Sequence, residues 1–159
     1  MRRFLNRLIL AGVIFIFAWY ISSNWYQLML IQGKSMEPAY HNFQLVVLDK
    51  HNKEYCTDDV IAFKCDNLSS ILVKRIVAME GDTVQIMNGK LYINGKEYVR
   101  YSNEIIEYAG VLDQKVKLQE DEIVVIGDNL AESKDSRYEE VGIVYENSIV
   151  GIILNDKVN

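Results

Sequence analysis

A serine near the end of a long uncharged stretch has surroundings that favour nucleophilic catalysis. Ser35 lies in the segment Gly33-Lys34-Ser35-Met36-Glu37-Pro38, which begins where the uncharged run ends. Serine is a weak nucleophile and must pass its proton to a nearby base. The two histidines, His41 and His51, stand alone and belong to no motif. A lysine is therefore considered as the base.

Lys74 is the candidate for that base. It lies in the otherwise apolar run Ile71–Val77, which is typical of a strand. Alternate side chains of a strand face opposite sides, so Lys74 shares one face with Leu72 and Ile76. Burial on such a face lowers the pKa of an ammonium group and makes the free amine available near neutral pH. The alternative is a lysine on an edge strand that extends its amine to water.

A third stretch, residues 127–137, begins with Gly-Asp-Asn directly after the apolar strand Ile123–Ile126. It contains two serines, two aspartates and an arginine within a short distance. Such a set could orient a buried amine by hydrogen bonds and brace the loop with an ion pair. Gly-Asp-Asn is also ordinary turn chemistry, so a simple polar loop is the alternative.

Together the three stretches resemble the type I signal peptidase family, the bacterial leader peptidases. The segment Ser35–Pro38 is similar to the family's Ser-Met-x-Pro motif. Lys74-Arg75-Ile76-Val77, followed by Gly81-Asp82, is similar to its lysine motif. Residues 127–137 resemble its Gly-Asp-Asn…Ser-x-Asp-Ser-Arg box. The order of an apolar segment, the serine, the lysine and the box also agrees.

The resemblance implies a serine endopeptidase that removes signal peptides at the outer face of the membrane and uses no cofactor. Ser35 would attack the scissile carbonyl, and Lys74 would take and later return the proton. Ser133 would hydrogen-bond the lysine amine and hold it in line. The backbone N–H of Ser35 would supply one donor of the oxyanion hole.

The resemblance also assigns supporting roles. Asp128, Asp135 and Arg137 would brace the site. Met36, with apolar neighbours such as Leu72, would line a shallow pocket for the residue before the cut.

The sequence departs from the family's pattern at a few positions. Ala39 stands where threonine is frequent, and Leu130 replaces an arginine that is common after Gly-Asp-Asn. Gly33 occupies the position at which some members use a serine hydroxyl as the second oxyanion donor. The large insertion that some members carry between the lysine and the box is lacking. None of these departures removes the serine or the lysine.

Residues 1–31 are interpreted as a cytoplasmic N-terminus and a single transmembrane anchor. No charged side chain lies between Leu8 and Gly33, and three arginines precede this run. Spanning a bilayer needs about 20 apolar residues, a length reached only if Trp25 to Ile31 belong to the span. Basic residues before a span favour a cytoplasmic N-terminus. A cleaved signal peptide and a buried core helix are the alternatives.

Residues 32–159 are expected to form one extracytoplasmic domain that is mainly β, with antiparallel or barrel-like sheets. Asn88-Gly89 and Asn94-Gly95 separate short apolar runs, which is a strong hairpin signal. The strands are expected at Phe43–Leu48, Val60–Phe63, Ile71–Met79, Thr83–Met87, Lys90–Ile93, Lys96–Val99, Val116–Leu118, Ile123–Ile126 and Ser148–Leu154.

Charge and composition exclude several other functions. All 22 acidic residues follow residue 33, whereas three of the 17 basic residues precede it, so no basic surface for nucleic acid is expected. No Cys/His group has the spacing of a metal site. Cys56 and Cys65 are too few for a disulfide framework, and both a single disulfide and two free thiols stay open. The expected partners are signal peptides of exported preproteins and membrane lipid.

Two other classes of function remain as alternatives. A self-cleaving repressor-type Ser-Lys protease would carry a DNA-binding domain in place of an anchor. An anchored, non-enzymatic or client-dedicated assembly factor on the same fold would be marked by loss of the serine or the lysine. Both residues are present in this sequence.

Overall fold

The computed structural model describes residues 2–154. It contains one long helix, α1, at Arg2–Trp25, followed by eleven strands. The strands are β1 Tyr26–Leu30, β2 Leu45–Asp49, β3 Val60–Cys65, β4 Ser70–Ala78, β5 Thr83–Met87, β6 Lys90–Ile93, β7 Lys96–Glu97, β8 Val116–Lys117, β9 Glu122–Ile126, β10 Val144–Tyr145 and β11 Ile149–Ile153. The expected fold class, mainly β with antiparallel sheets, is confirmed.

The strands form two antiparallel sheets. The larger has seven strands in the order β1-β2-β11-β3-β4-β9-β10, and the smaller has four in the order β7-β6-β5-β8. In the larger sheet β4 lies between β3 and β9, with Lys74 directly opposite Ile61 of β3. The candidate base therefore lies on an interior strand of the sheet and not on an edge strand.

The tight turns of the small sheet form at the two Asn-Gly pairs, as the sequence predicts. Asn88 and Gly89 join β5 to β6, and both have positive φ angles of 51° and 73°. Asn94 and Gly95 join β6 to β7 with φ angles of 54° and 77°. Two successive positive φ values match the right-handed twist of paired strands, and Asn and Gly adopt them at low cost.

The N-terminal region differs from the expectation in one respect. The helix α1 ends at Trp25. The segment Tyr26–Leu30, which the sequence predicts as part of the anchor, forms strand β1. β1 pairs along its whole length with β2, from Tyr26 opposite Asp49 to Leu30 opposite Leu45. Within residues 2–154, no helix combines the length and the apolar character needed to cross a membrane.

Other boundaries shift by a few residues. β2 begins at Leu45 because Phe43 has a φ of 63°, a left-handed conformation that cannot continue a strand. β7 ends at Glu97, and a 3-10 turn follows at Val99–Tyr101. The two-residue strand β10 was not expected. The last residues of the sequence lie outside the described part, beyond the end of β11.

Three apolar clusters fill the interior. One packs the small sheet against β9 and includes Val84, Leu112 and Val124. A second lies between β3, β4, β9 and β11 and includes Phe63 and Ile76, and a third underlies the nucleophile segment and includes Met36. Cys56 is exposed and Cys65 is buried, and both are free thiols.

Candidate active site

The structure brings Ser35 and Lys74 into direct contact. The amine Nζ of Lys74 donates hydrogen bonds to Ser35 Oγ at 2.8 Å and to the carbonyl of Val73 at 2.9 Å. The two residues are 39 positions apart in the chain, so the contact depends on the tertiary fold. A serine hydroxyl and an amine at this distance have the geometry required of a nucleophile and its base.

Burial prepares Lys74 for the role of a base. Its side chain is only 3% exposed, in a strand between two others. The pKa of Lys74 is lowered from 10.5 to about 8, chiefly by desolvation and to a smaller extent by the nearby Arg137, while Asp135 and Asp128 oppose the shift. A substantial fraction of the amine is therefore unprotonated at mildly alkaline pH.

Ser35, the candidate nucleophile, lies in the loop between β1 and β2. Backbone hydrogen bonds from Glu37 to Lys34 and from Tyr40 to Met36 close tight turns around Ser35. The Asn129 N–H donates to the carbonyl of Ser35 at 3.0 Å, so the Gly-Asp-Asn turn fixes the orientation of the serine backbone. Ser35 itself is half-buried.

Gly127 packs directly against Ser35. A Cβ at this position would lie 2.2 Å from Ser133 Oγ and 2.5 Å from the carbonyl oxygen of Ser35. These distances are far below van der Waals contact, so only glycine fits without movement of the backbone. The close approach brings residues 127–137 up to Ser35.

Ser133 lies at this point, but its hydroxyl does not bond Lys74. The side chain is 3% exposed, and Oγ has no hydrogen-bond partner among the residues that the structure describes. An unsatisfied buried hydroxyl is costly and uncommon. Its proximity to Gly127 places it at the site, and its predicted bond to the Lys74 amine stays a prediction.

Asp135 and Arg137 form a buried ion pair that shapes the loop. Arg137 donates from Nε and Nη2 to the two carboxylate oxygens of Asp135, at 2.8 and 2.9 Å. Arg137 Nη2 also donates to the carbonyls of Leu130 and Ser133, and Asp135 accepts the Gly127 N–H at 3.1 Å. Burial lowers the pKa of Arg137, but the hydrogen bond and charge of Asp135, with smaller contributions from Tyr138 and Tyr101, together outweigh this and hold the pKa above the ordinary value.

Asp128 is held by a second buried pair. Arg75 Nε and Nη2 donate to the two carboxylate oxygens of Asp128 at 2.7 and 2.6 Å. The Nη1 group of Arg75 donates to the carbonyl of Asp58 at 2.6 Å. This fork-to-fork geometry is the stronger form of a charge pair and links β4 to the Gly-Asp-Asn turn.

The two residues expected to line a substrate pocket lie at different depths. Met36 is 1% exposed and belongs to the apolar cluster beneath the nucleophile loop. Leu72 is half-buried and packs against the cluster of β3 and β4. Leu72 can therefore contact a ligand at the surface, whereas Met36 shapes the site from below.

Sequence reasoning assigned no role to Arg75, Gly127 or Tyr101. Arg75 carried a usable signal, because an arginine inside an apolar strand needs a carboxylate partner. For Gly127 the neighbouring residues indicate a turn, but they give no sign of its tight packing. Tyr101 is buried, and its hydroxyl donates to the Gly127 carbonyl at 3.4 Å, a contact across the two sheets.

Comparison with known families gives one match over nearly the whole described chain. Residues 2–154 match the model of the family described as signal peptidase, peptidase S26. Signal peptidase I S of Bacillus subtilis is 33% identical over 135 residues, which are 77% of this chain and 67% of the relative. Signal peptidase I P of Bacillus subtilis subsp. natto is 32% identical over 119 residues, or 68% of this chain and 64% of the relative.

A solved structure is similar to part of this chain. The crystal structure of a signal peptidase I from Enterococcus faecalis superposes with a TM-score of 0.51 and 27% sequence identity. The superposition covers 62% of this chain and 96% of that chain. The chain spans about two thirds of the length of the curated relatives it matches.

Proposed function

The chain belongs to the signal peptidase family, peptidase S26, and is a serine peptidase; we propose that it removes signal peptides from exported preproteins with Ser35 and Lys74 as its catalytic pair. The observation that carries this proposal is the hydrogen bond of 2.8 Å between Lys74 Nζ and Ser35 Oγ. Together with the depressed pKa of Lys74, it supplies an activated nucleophile without a histidine.

The proposed reaction proceeds through an acyl-enzyme. The free amine of Lys74 takes the proton of Ser35 Oγ as the oxygen attacks the scissile carbonyl. The resulting ammonium returns the proton to the leaving amine of the mature protein. Lys74 then takes a proton from water as the water oxygen attacks the ester. It returns this proton to Ser35 Oγ when the ester breaks, which releases the signal peptide and restores the serine hydroxyl and the free amine.

Two groups are proposed to assist this reaction. The Ser35 backbone N–H stabilises the oxyanion, and the bond from Asn129 to the Ser35 carbonyl fixes the peptide plane that carries this donor. Ser133 Oγ orients the Lys74 amine in the substrate complex, a role that its lack of another partner supports. The ion pairs of Asp135 with Arg137 and of Asp128 with Arg75 keep the surrounding turns in place.

We propose that the substrate binds in extended form beside Ser35 and Leu72. In an extended peptide alternate side chains face the enzyme, so residues −1 and −3 before the cut would enter the site and −2 would face solvent. The half-buried Leu72 and the packed Met36 leave room for small side chains. Alanine at −1 and −3 is the expected preference.

We also propose that α1 anchors the enzyme in the cell membrane, with a cytoplasmic N-terminus and an extracytoplasmic catalytic domain. Large apolar side chains of α1 are exposed, including Phe15 at 74% and Trp19 at 68%. Leu28 of β1 and Phe43, in the loop that follows it, are also exposed, at 65% and 69%. Large apolar side chains exposed in such number are typical of a membrane-contacting region.

The function is tested by incubating the detergent-solubilised chain with a preprotein that carries alanine at −1, −2 and −3. Wild type is expected to cut after −1, and Ser35→Ala is expected to leave the preprotein intact. Replacing alanine by phenylalanine at −1 should block cleavage, while the same change at −2 should be tolerated. Equal sensitivity at −1 and −2, or cleavage after a basic residue, would contradict the proposed substrate.

The anchor is tested separately in intact cells. Protease added outside the cells should degrade the catalytic domain, and a tag placed before Arg2 should survive until the membrane is opened. A chain that is recovered free of membranes, or a tag that is cut in intact cells, would overturn the proposed topology.

A further inference from the structure

A turn of the small sheet reaches across to the sheet that carries the active site. Tyr98 follows β7, and its hydroxyl donates a hydrogen bond to Oδ1 of Asp58 in the loop before β3. Arg100 Nε lies 3.4 Å from the same carboxylate oxygen. Tyr101, in the adjoining 3-10 turn, donates from its buried hydroxyl to the Gly127 carbonyl at 3.4 Å. The turn therefore holds two separate loops of the larger sheet.

Both loops are linked to the proposed catalytic pair. The loop of Asp58 is linked through Arg75, which is next to Lys74, and the loop of Gly127 is linked through its packing against Ser35. The Asp58 carbonyl accepts the Nη1 of Arg75 at 2.6 Å, and the Asp58 N–H donates to the carbonyl of Ile76 at 2.9 Å. Arg75 follows Lys74 in β4 and holds Asp128 with its other nitrogens. Gly127 packs against the carbonyl of Ser35.

Asp58 contacts Arg75 with its carbonyl and Tyr98 with its carboxylate, and its backbone has an unusual conformation. Its φ of 76° is a left-handed conformation that non-glycine residues adopt rarely. In this conformation the carbonyl meets Arg75 while the carboxylate meets Tyr98. The strained residue thus connects the small sheet to the charged pair beside Lys74.

We propose that Tyr98, Asp58 and Tyr101 are positioning residues, through which the small sheet holds Arg75, Asp128 and Gly127 in place and keeps water away from Lys74. The inference rests on the proposed Ser35–Lys74 pair and adds to it a role for the second sheet. None of the three residues contacts the reacting atoms; they act through the residues they hold.

Weakening the contact between Tyr98 and Asp58 should change the pKa of Lys74 in one direction. Lys74 faces the charged groups of Asp135, Arg137 and Asp128, and desolvation is the largest influence on its pKa. Entry of water would restore part of the solvation of the ammonium, so the pKa of Lys74 would rise. Neither tyrosine hydroxyl titrates in the pH range of interest, because burial raises the pKa of both Tyr98 and Tyr101.

The experiment measures kcat/KM for cleavage of the preprotein from pH 6 to pH 10 in matched variants. Tyr98→Phe removes only the hydroxyl, and its control is Tyr92→Phe, in β6 of the same sheet and outside this network. Asp58→Gly removes the carboxylate but allows the positive φ, and its control is Asp58→Asn, which keeps an acceptor oxygen and also tolerates that φ.

We expect Tyr98→Phe and Asp58→Gly to lower kcat/KM at pH 7 by about fivefold, the factor that one ordinary hydrogen bond represents. The rise of their profiles should move to higher pH, so that most of the activity returns near pH 9.5. Tyr92→Phe and Asp58→Asn should match wild type in both respects.

Each other outcome overturns the inference. A loss of rate with an unshifted profile would indicate a merely structural role, and profiles identical to wild type would show that the contact is dispensable. If Tyr98→Phe does not fold, the Asp58 variants decide the matter alone. Failure of the proposed function is recognised independently. In that case wild type would not cleave the preprotein, or Ser35→Ala would cleave it at the same rate as wild type.

Discussion

Lys74 Nζ and Ser35 Oγ lie 2.8 Å apart, and the lysine that makes this contact is 3% exposed. An amine in water would be protonated and unable to accept the proton of a serine. Burial of Lys74 in the folded protein changes this, since it disfavours the ammonium form. The hydrogen bond places the amine next to the serine hydroxyl, and the burial favours the unprotonated amine that could accept its proton.

Substitution of either member of the pair should abolish cleavage. Ser35→Ala and Lys74→Ala are each expected to lower kcat/KM by about a thousandfold or more, as loss of a nucleophile or its base does in other serine peptidases. Initial rates on a preprotein measure the effect, and circular dichroism verifies the fold.

The two histidines provide the control for that prediction. His41 is exposed and lies 4.0 Å from Glu37, while His51 stacks on Trp25 with ring centroids 4.5 Å apart. His41→Ala and His51→Ala should therefore retain most of the activity. A folded histidine variant without activity would contradict the assignment of Lys74 as the base.

The rate of cleavage should follow the deprotonation of Lys74. Because its pKa is lowered to about 8, kcat/KM should rise with pH through this value and level off above it. Below pH 7 the amine is almost fully protonated, and the rate should fall about tenfold per pH unit. An acid optimum with loss of activity above neutrality would exclude lysine as the base.

The same buried lysine should cost stability at neutral pH. Below pH 8 both folded and unfolded chains hold the proton, but the folded chain carries a buried ammonium. The decrease in pKa from 10.5 to about 8 corresponds to up to about 3 kcal/mol. Between these two pH values the unfolded chain binds more protons, so stability rises with pH and the cost disappears above the unfolded value.

Lys74→Met is therefore expected to raise the free energy of unfolding at pH 7 and to lose this advantage near pH 10.5. Urea denaturation at the two pH values measures the difference. Lys64→Met, at an exposed position of β3, is the matched control and should show no comparable gain at pH 7. A gain for Lys74→Met that is equal at both pH values would rule out desolvation as its cause.

Gly127 should not tolerate even one added methyl group. In Gly127→Ala the Cβ would meet the Ser35 carbonyl oxygen at 2.5 Å and Ser133 Oγ at 2.2 Å. Relief of this overlap must move the nucleophile or the loop, so we expect a loss of about 1–3 kcal/mol in stability and of most of the activity. Thermal melting and cleavage assays measure both effects.

Gly12→Ala is the control for this substitution, because nothing lies within 4 Å of a Cβ placed there. It should melt and cleave as the wild type does. Normal cleavage by Gly127→Ala would show that the close packing of the turn against Ser35 is not needed for activity.

The sequence by itself determined the fold class, the hairpins and the composition of the site. Asn-Gly pairs specify their turns locally, since Asn88 and Asn94 tolerate the positive φ that these turns need. The alternation of β4 likewise placed Lys74 on an apolar face before any partner was known. The resemblance of three short motifs then identified the serine, the lysine and the loop that belong together.

Only the tertiary structure decided how these pieces meet. Tyr26–Leu30 is apolar enough to extend a helix, yet its pairing with β2 makes it a strand, and pairing depends on a segment far along the chain. The partner of Arg75 is 53 positions away, and which carboxylate it reaches depends on the register of β4 with β9. The pKa of Lys74 is likewise a property of the assembled sheets, because desolvation arises from all the neighbours that burial brings together.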